Sequence, residues 1–389
     1  MISIHFSILL VSTLALAKAD VYPNIVYPIV DTGVTTYYGD FQEMSTTPSV
    51  GDDFYGQDAT YSGNQPSYTF DDVDETVVYD QVTGLYWQRY ISTQGRMNWT
   101  AAQSLVSTLS LGGYSDWRIP TVKELYSLIL FTGTTAGEAA GDERFIDTDY
   151  FEQPIGDTSE GFREIDAQTL SDTAYTGQVF GDQDCNFGVN FVDGRIKCYR
   201  PDIPNWYFRF VRGNTEYGTN SFKRNGDGTI TDENTGLMWM NADSGTYNWK
   251  SALAYCEDLT RSGYSDWRLP NIKELQSLVD YTAGPQTTGT PAIDSKFTVS
   301  SITLEDGTVD YPYFWSGTTH YDASARYGAY IAFGQGWGKD NDEITDVHGA
   351  GCQRGDPKSE ATGESFPDYF GPQDDLRQVY NYVRCVRDA

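Results

Sequence analysis

The chain has 389 residues, of which 55 are acidic and 26 are Lys or Arg, and its formal net charge at pH 7 is −29. Such an acidic surface repels polyanions, which argues against nucleic acid as a partner, and it suits divalent cations or neutral ligands such as sugars. It also keeps an exported protein soluble without any ligand. Hydrophobic residues make up 39% and aromatic residues 15%, which is enough to bury more than one core.

The first 19 residues have the pattern of a secretory signal. An apolar run begins near Phe6 and ends in the small-residue motif AKA, which predicts cleavage before Asp20. The segment before the run lacks Lys and Arg, so a buried N-terminal strand is the alternative. No later run approaches the ~20 apolar residues of a membrane helix. We therefore expect a secreted, periplasmic or cell-surface protein with no transmembrane segment.

Histidine is too scarce for several kinds of catalytic site. Only His320 and His348 follow the predicted signal, so a zinc site built from several histidines is excluded. A Ser-His-Asp relay would have two candidate bases at most, and neither lies in a hydrolase motif. We expect no catalytic residues and a protein that is not an enzyme.

Much of the chain is duplicated. YSDWRIPTVKEL begins at Tyr114 and YSDWRLPNIKEL begins at Tyr264, 150 positions later. Three more motif pairs repeat in the same order, namely TGLYW and TGLMW, NWTAA and NWKSA, and FRFVR and VRCVR. The repeats predict two copies of one domain, copy one at 69–213 and copy two at 218–389, after an irregular arm at 20–68 that we expect to wrap copy one.

Each copy is predicted to begin its helical part at the NW motif. Apolar residues follow with the 3-4-3 spacing of one helix face: Trp99, Ala102, Val106 and Leu109 in copy one, and Trp249, Ala252, Cys256 and Leu259 in copy two. A second helix is predicted after Pro120 and Pro270, because Thr121 with Glu124 forms a capping box and Asn271 with Glu274 is its equivalent.

The repeated WR(I/L)P motif is interpreted as a structural motif rather than a catalytic one. A chain that turns, caps a helix and buries an indole requires these residue types without any catalysis. The arginines are expected to form structural ion pairs rather than ligand contacts. The motif residues singled out are Trp117, Arg118, Pro120, Glu124, Trp267, Arg268, Pro270 and Glu274.

The rest of each copy is predicted to be short strands and long loops. FGVNFVDGRIKCY from Phe187 has the signal of a strand, an Asp-Gly turn and a second strand. YGAYIAFGQGWGK from Tyr327 is its looser counterpart. NGDGTITD from Asn225 resembles a calcium loop but has Lys223 and Asn234 where an EF-hand needs acids, so a hairpin turn is the interpretation.

The cysteines predict two disulfides. Cys256 lies on the inner face of a predicted helix and Cys385 in the last predicted strand, and copy one has apolar residues at both matching positions. Two positions that touch need either a bridge or a packing contact, so we predict that these cysteines pair. Cys185 and Cys198 flank the copy-one hairpin and are the second predicted pair. Cys352 is left over, either free or linked to another chain.

Taken together, these motifs resemble the Lcl C-terminal domain family. The resemblance rests on TGLxW, NWxxA, GYSDWR(I/L)P, KEL, the two ID pairs, FWSGT at Phe314 and the terminal YVRCVR. YPIVDTG and FYGQDATYSGNQPSY are similar to the leader of exported tandem members. The resemblance implies an α+β fold of the C-type-lectin-like kind, with two helices on small antiparallel sheets and the ligand site in a long loop. A bridge from the first helix to the last strand recurs in such folds, and copy one lacks it.

The family is named for an adhesin linked to sulfated glycans and to cell attachment. A chain this acidic could meet a sulfated polymer only through a local basic patch or bridging cations. The loop from about Lys339 to Arg377 in copy two is instead the expected ligand site. Its candidate residues are an aromatic platform and nearby acids: Trp337, Asp340, Asp342, Glu343 and Asp346. Asp340, Asp342 and Asp346 are candidate calcium ligands, although no cofactor is required.

The leading hypothesis is therefore an exported or cell-surface, non-enzymatic binding or adhesion protein that recognises a glycan or a surface protein through lectin-like loops. One alternative is a structural component of an envelope or filament, with self-association as its expected property. A second alternative is a relative of formylglycine-generating enzymes, whose chemistry needs a reactive cysteine pair.

Overall fold

The structure is a computed structural model that describes residues 25–304, 306–360 and 363–389. The predicted signal, residues 1–19, lies outside the described residues. The fold is α+β, as predicted, with short helices and many short antiparallel strands. Within the described ranges, no helix is long and apolar enough to cross a membrane.

Copy one contains two α-helices and nine strands. The helices are α1 (Trp99–Val106) and α2 (Val122–Tyr126). The strands are β1 (Tyr68–Phe70), β2 (Val77–Asp80), β3 (Leu85–Gln88), β4 (Thr135–Ala136), β5 (Ala139–Ala140), β6 (Thr169–Ala174), β7 (Asn186–Asn190), β8 (Arg195–Tyr199) and β9 (Val211–Gly213).

Copy two repeats this plan with additions. Its helices are α3 (Trp249–Glu257), α4 (Ile272–Ser277) and α5 (Pro285–Thr288). Its strands are β10 (Phe222–Arg224), β11 (Thr229–Asp232), β12 (Leu237–Met240), β13 (Ser244–Tyr247), β14 (Ile302–Thr303), β15 (Val309–Asp310), β16 (Tyr313–His320), β17 (Tyr327–Ala332), β18 (Trp337–Asp340), β19 (Glu343–Asp346), β20 (Gln353–Pro357), β21 (Asp368–Phe370), β22 (Asp375–Arg377), β23 (Asn381–Val383) and β24 (Val386–Asp388).

Each copy begins and ends in one small sheet. The orders are β1-β2-β3-β9 and β10-β11-β12-β24, so the last strand of each copy closes the sheet that its first strands began. The TGL(Y/M)W motif supplies the third strand, and its tryptophans, Trp87 and Trp239, are fully buried. The NGDGTITD segment forms the β10–β11 hairpin, as interpreted from the sequence.

The predicted helices form, but they are shorter than their apolar patterns. Asn98 caps α1 by accepting a bond from Ala101 N at 2.8 Å, and Asn248 caps α3 by accepting one from Ser251 N at 2.9 Å. Both capping boxes are complete, at Thr121 with Glu124 and at Asn271 with Glu274. The apolar residues beyond the helix ends still pack inward, because the chain turns before it leaves the core.

A single eight-stranded sheet runs through both copies, in the order β13-β23-β16-β17-β20-β8-β7-β6. The copy-one hairpin β7–β8 forms as predicted. Its predicted counterpart was only partly right: β17 pairs with β20, and the intervening residues form a separate hairpin, β18–β19. Copy two has therefore inserted a hairpin where copy one has a tight turn.

The sheet shows that the copies are related by an approximate two-fold axis. Across the junction the strand order reads β16-β17-β20 and then β8-β7-β6, which is the same order reversed. The β16–β17 and β6–β7 registers make Gln353 the equivalent of Ile196, and these two residues pair with each other. A contact between equivalent residues is the mark of a self-complementary interface.

The KEL lysines cross this interface in both directions. Lys123 Nζ donates to Ser277 O at 2.8 Å, and Lys273 Nζ donates to Ser127 O at 2.9 Å. Each serine carbonyl lies at the end of the other copy's second helix, where carbonyls lack intrahelical partners. Burial lowers the pKa of Lys123 to about 8 and that of Lys273 to about 7.

The arm does not wrap copy one as expected, and most of its contacts are to copy two. Asp58 accepts a bond from Thr318 Oγ1 at 2.6 Å, and the Tyr61 hydroxyl donates to Glu257. Lys358 donates to Gly39 O at 3.1 Å. A glycine of copy two, Gly317, lies against the arm backbone at the position where copy one has the larger residue Asp172.

Candidate functional site

The loop expected to bind a ligand holds a buried tryptophan rather than an exposed platform. Trp337 is 6% exposed, and its Nε1 donates to Asp310 Oδ2 at 2.7 Å. Asp346 is also buried and accepts bonds from Tyr175 Oη at 2.8 Å and Gly349 N at 2.8 Å. Burial raises the pKa of Asp346 to about 7. Both side chains are thus engaged in contacts within the fold that hold the insertion in place.

The three candidate calcium ligands do not converge. Asp340 pairs with Glu343 beside the exposed tip of the β18–β19 hairpin, where Asp342 also lies. Asp346 pairs with Trp337 at the opposite end of the same hairpin. In the part of the chain that the structure describes, no group of three or more acidic, His or Cys side chains is placed to hold a metal ion. The structure thus does not bring the three predicted calcium ligands together.

The WR(I/L)P motif is scaffold in copy one. Trp117 is buried and donates to Leu111 O at 3.3 Å. Arg118 Nη1 donates to Glu124 Oε2 at 2.7 Å, and a second bond joins the same two side chains. The Pro120 carbonyl accepts a bond from Asp172 N at 2.8 Å. These contacts fix the turn before α2, as predicted.

Copy two repeats the arrangement residue by residue. Trp267 donates to Arg261 O at 3.3 Å, and Arg268 reaches both oxygens of Glu274, at 2.6 and 2.7 Å. The Pro270 carbonyl accepts a bond from Gly317 N at 2.8 Å. Both arginines are therefore structural, and the repeated motif belongs to the scaffold.

Both predicted disulfides are confirmed, Cys256–Cys385 and Cys185–Cys198. Val106 and Phe210, the copy-one equivalents of the first pair, share one buried cluster. Cys352 is free and fully buried. Burial raises the pKa of its thiol well above the usual range, which leaves it a poor nucleophile.

The molecule has a concave site that the sequence did not indicate, of about 470 Å³, at the junction of the two copies. We call it the inter-copy cleft. Its floor consists of Lys197 and Tyr199 on β8, Arg354 and Asp356 on β20, and Tyr330 on β17. Strand residues alternate between the faces of a sheet, so the residues between them, such as Ile196 and Ile331, face the core beneath the helices.

Loops from both copies form the rim. Copy one contributes Glu138, Arg163 and Gln168, and copy two contributes the β21–β22 hairpin, whose tip carries Phe370. Phe370 is 58% exposed, although the Arg377 guanidinium lies 4.2 Å from its ring centroid. The cleft therefore offers an aromatic edge above a polar floor, which is typical of small-molecule sites.

The floor brings three basic side chains together within a strongly acidic protein. Arg195, Lys197 and Arg354 lie close together, and register makes Lys197 and Arg354 equivalent residues of the two copies. Arg195 pairs with Asp193 at 3.1 Å and with Asp322 at 2.8 Å. Arg354 is paired with Asp375, which also receives His348 Nε2 at 2.6 Å.

Lys197 differs from these arginines because it has no salt-bridge or hydrogen-bond partner within the described ranges. Burial, followed by the nearby charge of Arg354, lowers the pKa of Lys197 to about 7. Arg354 Nη1, Arg195 Nε and the Tyr199 hydroxyl are likewise buried without a hydrogen-bond partner among those residues. Each unpaired buried polar group lowers the stability of the fold by about 1–3 kcal/mol. A ligand that accepts hydrogen bonds from these donors would remove that cost.

Sequence reasoning missed the cleft for a definable reason. RIKCY shows an alternation of polar and apolar residues, which indicates that Arg195, Lys197 and Tyr199 share one strand face. It does not show that this face meets Arg354, which lies 157 positions later in the chain. Both copies build this cleft, whereas the sequence pointed to the loop of copy two alone.

The molecule thus belongs to the class of tandem α+β proteins. Its two units have the same plan and are related by a pseudo-two-fold axis. The chain belongs to the Lcl C-terminal domain family, whose family model matches residues 76–212 and 228–349. The two matches correspond to the two copies and confirm the resemblance. No curated protein and no solved structure shows significant similarity to the chain.

Proposed function

We propose that the protein is a non-enzymatic binding or adhesion protein, exported or displayed at a cell surface, that recognises a glycan or protein ligand in the inter-copy cleft. The observation that supports this most is the cleft itself, because it joins aromatic and polar side chains of both copies in a concavity of ligand size. Two disulfides are compatible with export.

We further propose that each copy is a C-type-lectin-like domain. The bridge between the first helix and the strand region at the end of copy two supports this assignment, as does the packing of two short helices on antiparallel sheets. The site lies on the joined sheet rather than in the long loop of one copy. Determining the crystal structure and comparing it with lectin-like folds would test the assignment.

A formylglycine-type activity has little support. That chemistry needs a reactive cysteine pair, whereas Cys352 is buried with a raised pKa and the other four cysteines are bridged. We propose that binding needs no cofactor. Calcium should then leave the melting temperature of the mature protein unchanged relative to EDTA, because an ion bound only by the native state would raise it.

The test of the binding function is a glycan array and a cell-surface binding assay with the full protein and two matched variants. Phe370→Ala removes an exposed ring at the rim of the cleft, and Tyr380→Ala removes an exposed ring outside it. We expect the first variant to lose binding by ~10-fold or more and the second to bind normally. Equal binding by both variants would place the ligand elsewhere.

A further inference from the structure

The inter-copy cleft has one basic side chain that no carboxylate of the described residues pairs with. The arginines that line it each have an acidic partner: Arg163 with Asp166 and Glu138, Arg195 with Asp193 and Asp322, Arg354 with Asp375, and Arg377 with Asp368. Lys197, near the pseudo-symmetry axis, is the exception within the described ranges. The floor thus presents one amine that lacks a carboxylate partner in the part of the chain that the structure describes.

The remaining acid on the floor, Asp356, does not pair with this amine. Asp356 is 1% exposed, and its Oδ2 accepts a bond from Asn381 Nδ2 at 2.9 Å. Burial raises the pKa of Asp356 to about 8, so its carboxyl is mostly neutral at pH 7. Its Oδ1 has no hydrogen-bond partner among the described residues. A neutral carboxyl neither repels an incoming anion nor satisfies Lys197.

Other donors surround the same amine. Arg354 Nη1 and the Tyr199 hydroxyl are buried without partners in the described part of the chain, and both residues line the floor beside Lys197. Charge-assisted hydrogen bonds to an oxyanion would satisfy these groups together. The paired arginines make a polyanion a poor match, since its further charges would meet guanidinium groups already neutralised and the carboxylates that neutralise them.

We propose that the inter-copy cleft binds a monoanionic small ligand, of the size of one or two sugar rings, whose single acid group is held by Lys197 and Arg354. This inference rests on the proposed binding function and names the chemistry of its ligand. The ring of the ligand would lie toward Phe370 at the rim, where the exposed aromatic surface is. An acidic sugar has this combination of one carboxylate and one ring.

The bound acid group would change the protonation of Lys197. Its pKa of about 7 reflects burial and the nearby Arg354 charge, and an adjacent anion favours the charged amine. At pH 8 the free amine is mostly neutral, so binding should take up a proton, whereas at pH 6 the amine is already charged. The titratable and charged groups that surround it are Asp193, Arg195, Tyr199, Asp322, Tyr330, Arg354, Asp356, Asp375 and Arg377.

The experiment is isothermal titration of the full protein with galacturonate, with galactose as the neutral counterpart and with inorganic phosphate as a multiply charged probe. We expect galacturonate to bind at least ~10-fold more tightly than the other two. At pH 8, buffers of different ionisation enthalpy should report uptake of roughly one proton per site. At pH 6 this uptake should vanish.

Lys197→Met should weaken galacturonate binding ~10- to 100-fold and abolish the proton uptake. Lys223→Met removes the same charge from an exposed lysine on β10 and should change neither. Equal binding of galactose and galacturonate, or uptake that persists in Lys197→Met, would overturn the inference while leaving a binding function in the cleft. Binding of other ligands that Phe370→Ala does not affect would instead overturn the proposed function.

Discussion

The two copies share one scaffold but stabilise it by different means. In copy two a disulfide, Cys256–Cys385, joins the first helix to the end of the chain, whereas in copy one Val106 packs with Phe210 at the same positions. Copy two is also covered by the arm. The scaffold thus accepts either a disulfide or an apolar packing contact at these two positions.

A second difference concerns a single position in the turn region. Gly317 of copy two and Asp172 of copy one donate the same backbone bond, each at 2.8 Å, to the motif proline. A Cβ on Gly317 would lie 3.3 Å from Asp58 N, so the glycine leaves room for the arm. Asp172 instead uses its side chain, which accepts bonds from Trp99 and Gln103. Gly317 thereby allows the close approach of the arm backbone at this point of copy two.

The disulfides give the largest expected contrast. Removing Cys256–Cys385 with alanines should lower the free energy of unfolding by about 5 kcal/mol, because the bridge closes a loop with a sequence separation of 129. Removing Cys185–Cys198, with a separation of 13, should cost about 3 kcal/mol. Guanidinium unfolding measures both. Equal losses in the free energy of unfolding would mean that loop length does not determine how much each disulfide stabilises the protein.

Two equivalent buried arginines should contribute equally to the stability of the two copies. Arg209 donates to the carbonyls of Gln88, Arg89 and Glu152, and its equivalent Arg384 donates to three carbonyls in copy two. Replacing either by Met should leave buried acceptors unsatisfied and cost about 3 kcal/mol. Denaturant unfolding would check this.

Arg224→Met is the control for this pair, since Arg224 is exposed although it also donates to carbonyls. It should cost well under 1 kcal/mol, as exposed substitutions generally do. A large difference between Arg209→Met and Arg384→Met would break the equivalence of the two copies.

The crossing lysines should make stability depend on pH. Each folded-state pKa, about 8 for Lys123 and about 7 for Lys273, lies below that of an unfolded lysine. The unfolded chain therefore binds more protons between these values and about pH 10, so the contribution of each lysine to stability rises with pH in that window. Lys273→Met should reduce the pH dependence of the free energy of unfolding more than Lys123→Met does. The opposite ranking would show that the lysine environments are misassigned.

The smallest expected contrast lies in the motif arginines. Arg268 has 11% side-chain exposure and lies over the Tyr61 ring of the arm, whereas Arg118 has 30% exposure and no such ring from the described part of the arm. Ion pairs lose strength with exposure to solvent. Arg268→Met should therefore destabilise the protein by about 1 kcal/mol more than Arg118→Met, as thermal unfolding can measure. Equal effects would show that the arm adds nothing to this pair.

The sequence by itself determined the duplication, the helix starts, the capping boxes and both disulfides. These features depend on residues close in the chain, or on two positions that vary together between the copies, such as Cys256 with Cys385 against Val106 with Phe210. Helix caps and helix periodicity depend on residues a few positions apart, so the local sequence pattern predicts them. The acidic loop misled because acidity alone does not show which carboxylates are buried, as Asp346 is.

Only the tertiary structure decided how the copies meet, and with that the candidate site. Each copy presents an ordinary strand edge, and nothing local in β8 or β20 specifies that Ile196 will pair with Gln353. The pairing creates the cleft, brings Lys197 beside Arg354 and sends each KEL lysine to the helix of the other copy. Contacts between residues far apart in the chain depend on shape and burial across the whole molecule, which no short pattern encodes.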